Sequence, residues 1–211
     1  ARCGKRRLQP FFAFWSEIME LRNLFKFEFF YSRKAQFSDE IELNLNGIDP
    51  EWNQHVQEDT YDLQELLNQQ KLLVAPVILN TYIEAYRVII HALISWDPNR
   101  PFDEETFINN CLYLGEEMQW QGSIQRIESV SKPFLVNGLR LIRNRDLIPT
   151  PKDQKTEILQ NFDQQLQELS QRIKTLQSIM LSKPHEESTY VHIERDIVHG
   201  SRTEHLTNEI L

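Results

Sequence analysis

Four polar residues interrupt the most apolar stretch of this 211-residue chain: Asn80, Glu84, Arg87 and His91 stand within LLVAPVILNTYIEAYRVIIHALISW, residues 72–96. Steps of four, three and four residues put an amide, an acid, a guanidinium and an imidazole on one helical face, with Glu84 in reach of Arg87. Such a set suits general acid–base work. It equally suits a buried helix that must satisfy its own polar groups, and that second reading outweighs the first.

Other residues that invite chemistry fail on spacing. His185, His192, His199 and His205 follow one another at steps of seven, seven and six, whereas two ligands on one helix need three or four residues between them. No metal site and no cofactor is expected. Ser129-Val130-Ser131-Lys132 matches the S-x-x-K pattern of penicillin-interacting enzymes, but its KTG and SDN companions are missing and Ser129 reads as a helix cap. No G-x-S-x-G elbow suggests a nucleophilic serine. Cys3 and Cys111 are too few for a disulfide framework.

The element that carries the polar line is apolar around most of its girth, so other helices or lipid must cover it. Its length would span a bilayer, but centring Glu84 and Arg87 in hydrocarbon costs about 2.5–3.5 kcal/mol each. A buried central helix of a bundle is the expectation. Before it, residues 9–31 form an aromatic run in which Phe11, Trp15, Ile18, Phe25 and Phe29 share a helical face. Arg2, Lys5, Arg6 and Arg7 precede that run and Lys26 lies inside it. Together with Phe11, Phe12 and Trp15 these are the candidate residues for an anionic membrane surface; the competing reading is an aromatic core helix with a basic end.

Further helices are expected from Ser38, as a cap, to Gly47, as a stop, and from Thr60 to Lys71. Asp103 caps another that Gly122 ends, and Ser129 opens one that ends in Arg140, Arg143 and Arg145. In residues 152–182, Leu159, Phe162, Leu166, Leu169, Ile173, Leu176 and Met180 alternate steps of three and four, a coiled-coil-like helix. It either packs along the bundle or pairs with a second copy through residues 159–180. Residues 183–211 are polar and weakly patterned, a tail expected to be mobile. The fold class is therefore all-α: an irregular helical bundle (1–150), a long amphipathic helix packing on it (151–182) and a tail.

A formal net charge of −8 argues against nucleic-acid binding. Six glycines, with no GxGxxG or GxxxxGK[ST], leave a nucleotide fold without footing. The opening ARCGKRR reads as if cut from something longer.

Three segments in order carry a resemblance: FWSEIMELRNLFKFEFFY (14–31), VAPVILNTYIEAYRVIIHAL (74–93) and NNCLYLGEEMQWQGSIQRIESVSKPFLVNGLRLIRNRDLI (109–148). Together they resemble the C-terminal region of large, membrane-associated bacterial glycerol-3-phosphate acyltransferases. That family moves an acyl group from acyl-CoA or acyl carrier protein to glycerol 3-phosphate in phospholipid synthesis, using an H-x-x-x-x-D motif. Here the residues five beyond each histidine are Thr60, Trp96, Tyr190, Ile197, Glu204 and Ile210, so the motif is absent and no catalytic residue carries over. The resemblance implies a non-catalytic helical part, inactive alone. Its partner would be the rest of the acyltransferase chain, at the cytoplasmic side of the plasma membrane or else in the cytoplasm. The alternatives are a free-standing interaction module using the 159–180 seam and a small enzyme working from the polar line.

Overall fold

The structure, a computed structural model, describes residues 9–58, 75–153 and 155–181. Its α-helices run in the order α1 (Gln9–Leu24), α2 (Lys34–Ile48), α3 (Trp52–Glu58), α4 (Ala75–Ile94), α5 (Glu104–Trp120), α6 (Lys132–Asn144) and α7 (Thr156–Leu181), with a 3₁₀ turn at Ile127–Ser129 before α6. Among the described residues there is no strand, only an isolated bridge between Thr150 and Asp153. The helix expected over residues 60–71 and the tail beyond 182 lie outside the described residues.

Helix α4 is the axis, with α5, α6 and α7 packed around it. Pro76 sits in its first turn, where no backbone donor is lost. Ile83, Ala85, Tyr86, Val88, Ile89 and Ile90 are wholly buried, so protein covers the apolar girth of the helix from Ile83 to Ile90, while Ile78 in its first turns is exposed. It is long and apolar enough to cross a membrane, yet it serves as the core. From α6 come Leu135, Leu139 and Ile142, from α5 Phe107, Ile108 and Cys111, and from α7 Leu159, Phe162, Leu166 and Ile173. The three-and-four positions of α7 from Leu159 to Ile173 thus pack on the bundle of its own chain.

Helix ends follow local chemistry. Asp103 caps α5 by accepting the N–H of Thr106 at 2.8 Å. At its other end Gly122 adopts φ 73°, letting the N–H of Ser123 reach back to Met118 O. Asp146 plays the same left-handed part after α6, with the N–H of Leu147 bonded to Ile142 O.

Four expectations need correction. The aromatic run is not one helix to Tyr31: α1 ends at Leu24, and a turn over the Phe-rich segment swings Phe25 into the core against Tyr82 and Tyr86. Aromatic residues are indifferent helix formers, so the packing gained at the turn wins. Ser38 does not cap α2, which starts four residues earlier; its hydroxyl bonds Lys34 O inside the helix. Gly47 does not stop α2, which ends at extended Asp49, the residue before Pro50. Ser129 does not open α6: it lies in the 3₁₀ turn, and Ser131 takes the N-cap position ahead of Pro133.

Candidate functional site

The polar line of α4 does lie on one face, and every member is engaged. Glu84, 3% exposed, accepts the backbone N–H groups of Gln125 and Arg126, each at 3.0 Å, and the hydroxyl of Ser129 at 2.8 Å. The amide of Asn80 adds a longer bond of 3.4 Å. A buried carboxylate is tolerated when its lone pairs are filled in this way. The expected Glu84–Arg87 pair does not form, because the 3₁₀ turn offers Glu84 donors that are already fixed in place.

Arg87 turns instead to α7. Its Nε donates to Asp163 Oδ1 at 2.9 Å and its Nη1 to Ser123 O at 3.1 Å. His91 Nε2 lies 3.3 Å from Asp163 Oδ2, which Gln167 also bonds. Asn80 Oδ1 accepts the hydroxyl of Ser170 at 2.6 Å. Burial by itself pushes the Asp163 carboxyl up, but hydrogen bonds from His91 and Arg87, the Arg87 charge and a bond from Gln167 outweigh it and hold the group at about 2. The seam therefore clamps two things to α4: the 123–129 turn and the long helix α7.

A second polar contact had no signal in the sequence, since its members are 58 and 109 residues apart. Glu28, in the turn after α1, accepts Tyr86 Oη at 2.9 Å and Asn137 Nδ2 at 3.0 Å. Burial raises its carboxyl above the usual range, against the pull of those two bonds. It ties the aromatic turn to α4 and α6.

Could the seam do chemistry? His91 and Asp163 border an open depression of about 620 Å³ whose other lining is Ile94, Gln160, Gln164, Gln167 and Glu168. The guanidinium of Arg87, which holds Asp163, is committed to that carboxylate and to Ser123 O. Among its described lining residues the depression has no lysine or arginine for a phosphate, and no hydroxyl or thiol for a covalent intermediate. His55, the other described histidine, pairs with Asp49 at 2.7 Å, again outside the H-x-x-x-x-D spacing. Ser129 is buried on Glu84, and burial pushes the Cys111 thiol up to about 12, so neither is a poised nucleophile. Among the described residues no group of three His, Cys, Asp or Glu side chains is set to hold a metal.

The candidate membrane-surface residues separate. Arg2, Lys5, Arg6 and Arg7 lie outside the described residues. Phe11 stacks on Trp52 at 6.3 Å and Trp15 meets the same indole edge-on, so both help to cover α3. Phe12 is 66% exposed. Lys26 donates to Asn144 Oδ1, close over the ring of Phe27.

These features define, over the described residues, an all-helical body whose polar side chains hold helices together. The chain belongs to the glycerol-3-phosphate acyltransferase C-terminal region family, which it matches over residues 10–150. It is 31% identical over 132 residues to the plsB1 proteins, named as acyltransferases, of Mycobacterium bovis (strain ATCC BAA-935 / AF2122/97) and Mycobacterium tuberculosis (strain ATCC 25618 / H37Rv). Those alignments take in 63% of this chain, and the chain spans only about a fifth of the length of these relatives, 21%. No solved structure matches it.

Proposed function

We propose that this chain is the non-catalytic C-terminal helical part of a glycerol-3-phosphate 1-O-acyltransferase, an enzyme of phospholipid synthesis that takes its acyl group from acyl-CoA or acyl carrier protein. Its task is to support the catalytic domain and to help hold it at the cytoplasmic face of the plasma membrane. The observation that carries this reading is the pairing of a C-terminal-region match with a polar line spent on internal clamps. Chemistry in such a protein belongs to other polypeptide, and the chain's contribution is rigidity and surface.

Two measurements test it. The isolated chain, given acyl-CoA and glycerol 3-phosphate, transfers no acyl group. In the longer parent protein, His91→Ala leaves kcat within about twofold, whereas loss of a general base costs about a hundredfold or more. Turnover by the isolated chain, or a collapse of kcat in His91→Ala with folding intact, overturns the reading.

A further inference from the structure

The aromatic turn after α1 carries a feature that the packing does not use. Phe25 is buried and Phe29 is held edge-on by Phe25, Tyr31 and Tyr82, but Phe30 next to it is fully exposed. A large ring is therefore held in water by a well-braced loop. Glu28 ties its start to Tyr86 and Asn137, Arg22 donates to Ser32 O at 2.6 Å, and Ser32 donates to Glu40 at 2.8 Å.

Charge around this ring runs against that of the whole molecule. Residues 22–34 contain Arg22, Lys26, Arg33 and Lys34 against the single acid Glu28, which is engaged internally, in a chain of net charge −8. Arg33 and Lys34 are exposed. Burial and then the charges of Arg145, Arg22 and Lys34 lower the Lys26 amine, so cations from α1, α2 and the end of α6 converge there. The acids of α2 are Asp39, Glu40 and Glu42, of which Glu40 accepts from Ser32 and Gln36.

We propose that the 29–34 loop is an anchor for anionic lipid, with Phe30 entering the acyl boundary and Arg33 and Lys34 meeting acidic headgroups. This deepens the peripheral-membrane reading above and rests on it, but moves the contact from the face of α1 to one loop. An exposed ring followed three and four residues later by exposed cations fits a surface that is negative outside and greasy beneath. The exposed Trp120, by contrast, follows Glu116 and Glu117 on α5, an acidic setting that such a surface repels.

The test is flotation of the 211-residue chain with vesicles of phosphatidylcholine alone or mixed with phosphatidylglycerol. Binding is expected to the mixed vesicles, weakening as salt rises. Phe30→Ser should weaken it about tenfold or more, the order expected for one buried Phe side chain. Each of Arg33→Gln and Lys34→Gln should weaken it about fivefold. Because Phe30 is fully exposed, its variant should keep the thermal midpoint of the parent. Trp120→Ser should bind as the parent does. If Phe12→Ser or Arg6→Gln/Arg7→Gln abolishes binding while Phe30→Ser does not, the membrane reading survives and the loop anchor falls. If the parent chain floats with neither vesicle, both fall.

Discussion

Ser129 donates its hydroxyl to Glu84 at 2.8 Å, joining two residues 45 positions apart in the interior of the bundle. The same carboxylate takes two backbone N–H groups of the turn that precedes Ser129. Glu84→Gln keeps the shape but sets an amide –NH₂ against at least one of those fixed donors, leaving buried groups unmatched. A loss of about 3 kcal/mol is expected, and for Ser129→Ala, which spares the backbone bonds, about 1–2 kcal/mol. Urea midpoints at unchanged m-value check this order; a Glu84→Gln protein as stable as the parent would refute the clamp.

Asp163 links α7 to Arg87 and His91, and its carboxyl sits at about 2 instead of the ordinary 3.8. The folded state therefore binds this proton less readily than the unfolded one. Stability from the group is complete above pH 4 and fades as pH falls toward 2, a drop on the order of 2–3 kcal/mol. Unfolding free energies of the parent and Asp163→Asn should be separated by a gap that narrows from pH 4 downward. A gap that stays level to pH 2 means that Asp163 is not ionically engaged.

Glu28 has the opposite sign. Burial raises its carboxyl above 4.5, so the folded protein holds the proton more firmly than the unfolded chain. Its contribution is full below pH 4.5 and is lost as pH climbs through the raised value. Glu28→Gln does not titrate, hence its stability deficit relative to the parent should be larger at pH 4 than at pH 7. Thermal melts across that range decide it, and a deficit that grows with pH contradicts the burial argument.

Periodicity made much of this fold legible. The α4 core helix, the Asp103 cap, the Gly122 stop and the apolar seam of α7 all follow from local spacing, because one helix face or one turn decides each. The partners of the polar line were not legible. Spacing put Glu84 beside Arg87, but a carboxylate chooses its donors in three dimensions, and a turn 41–45 residues later supplied better ones. The Phe-rich turn follows from a related cause: Phe25 and Phe29 fit a helical stripe, yet their contacts with Tyr82 and Tyr86 are made after α1 has ended at Leu24.

Gly115 in α5 marks where the 3₁₀ turn presses closest. A Cβ there would stand 2.7 Å from Val130 Cγ1 and 2.9 Å from Cγ2. Valine is stiff about its first side-chain torsion, so it gives way poorly. Gly115→Ala should cost about 1–3 kcal/mol despite the better helix propensity of alanine. Gly115→Ala combined with Val130→Ala should recover part of that loss, a non-additivity readable in a double-mutant cycle. Additive effects would show that the contact is not the cause.

The family match stops at residue 150, but the interior of the body does not. Helix α7 supplies Asp163 to Arg87 and His91, Ser170 to Asn80, and Leu159, Phe162 and Leu166 to the core around α4. A chain ending at residue 150 would strip α4 of one wall, opening Arg87 and Asn80 to water and removing the buried side chains Leu159, Phe162, Leu166 and Ile173, each worth about 1.5–3 kcal/mol. That sum rivals the whole stability of an ordinary domain, about 5–15 kcal/mol. The truncated chain should therefore lose its cooperative urea transition and near-ultraviolet dichroism, and a peptide of residues 152–182 added in trans should restore both. If residues 1–150 alone unfold sharply at the parent midpoint, α7 is an accessory to the body and not one of its walls.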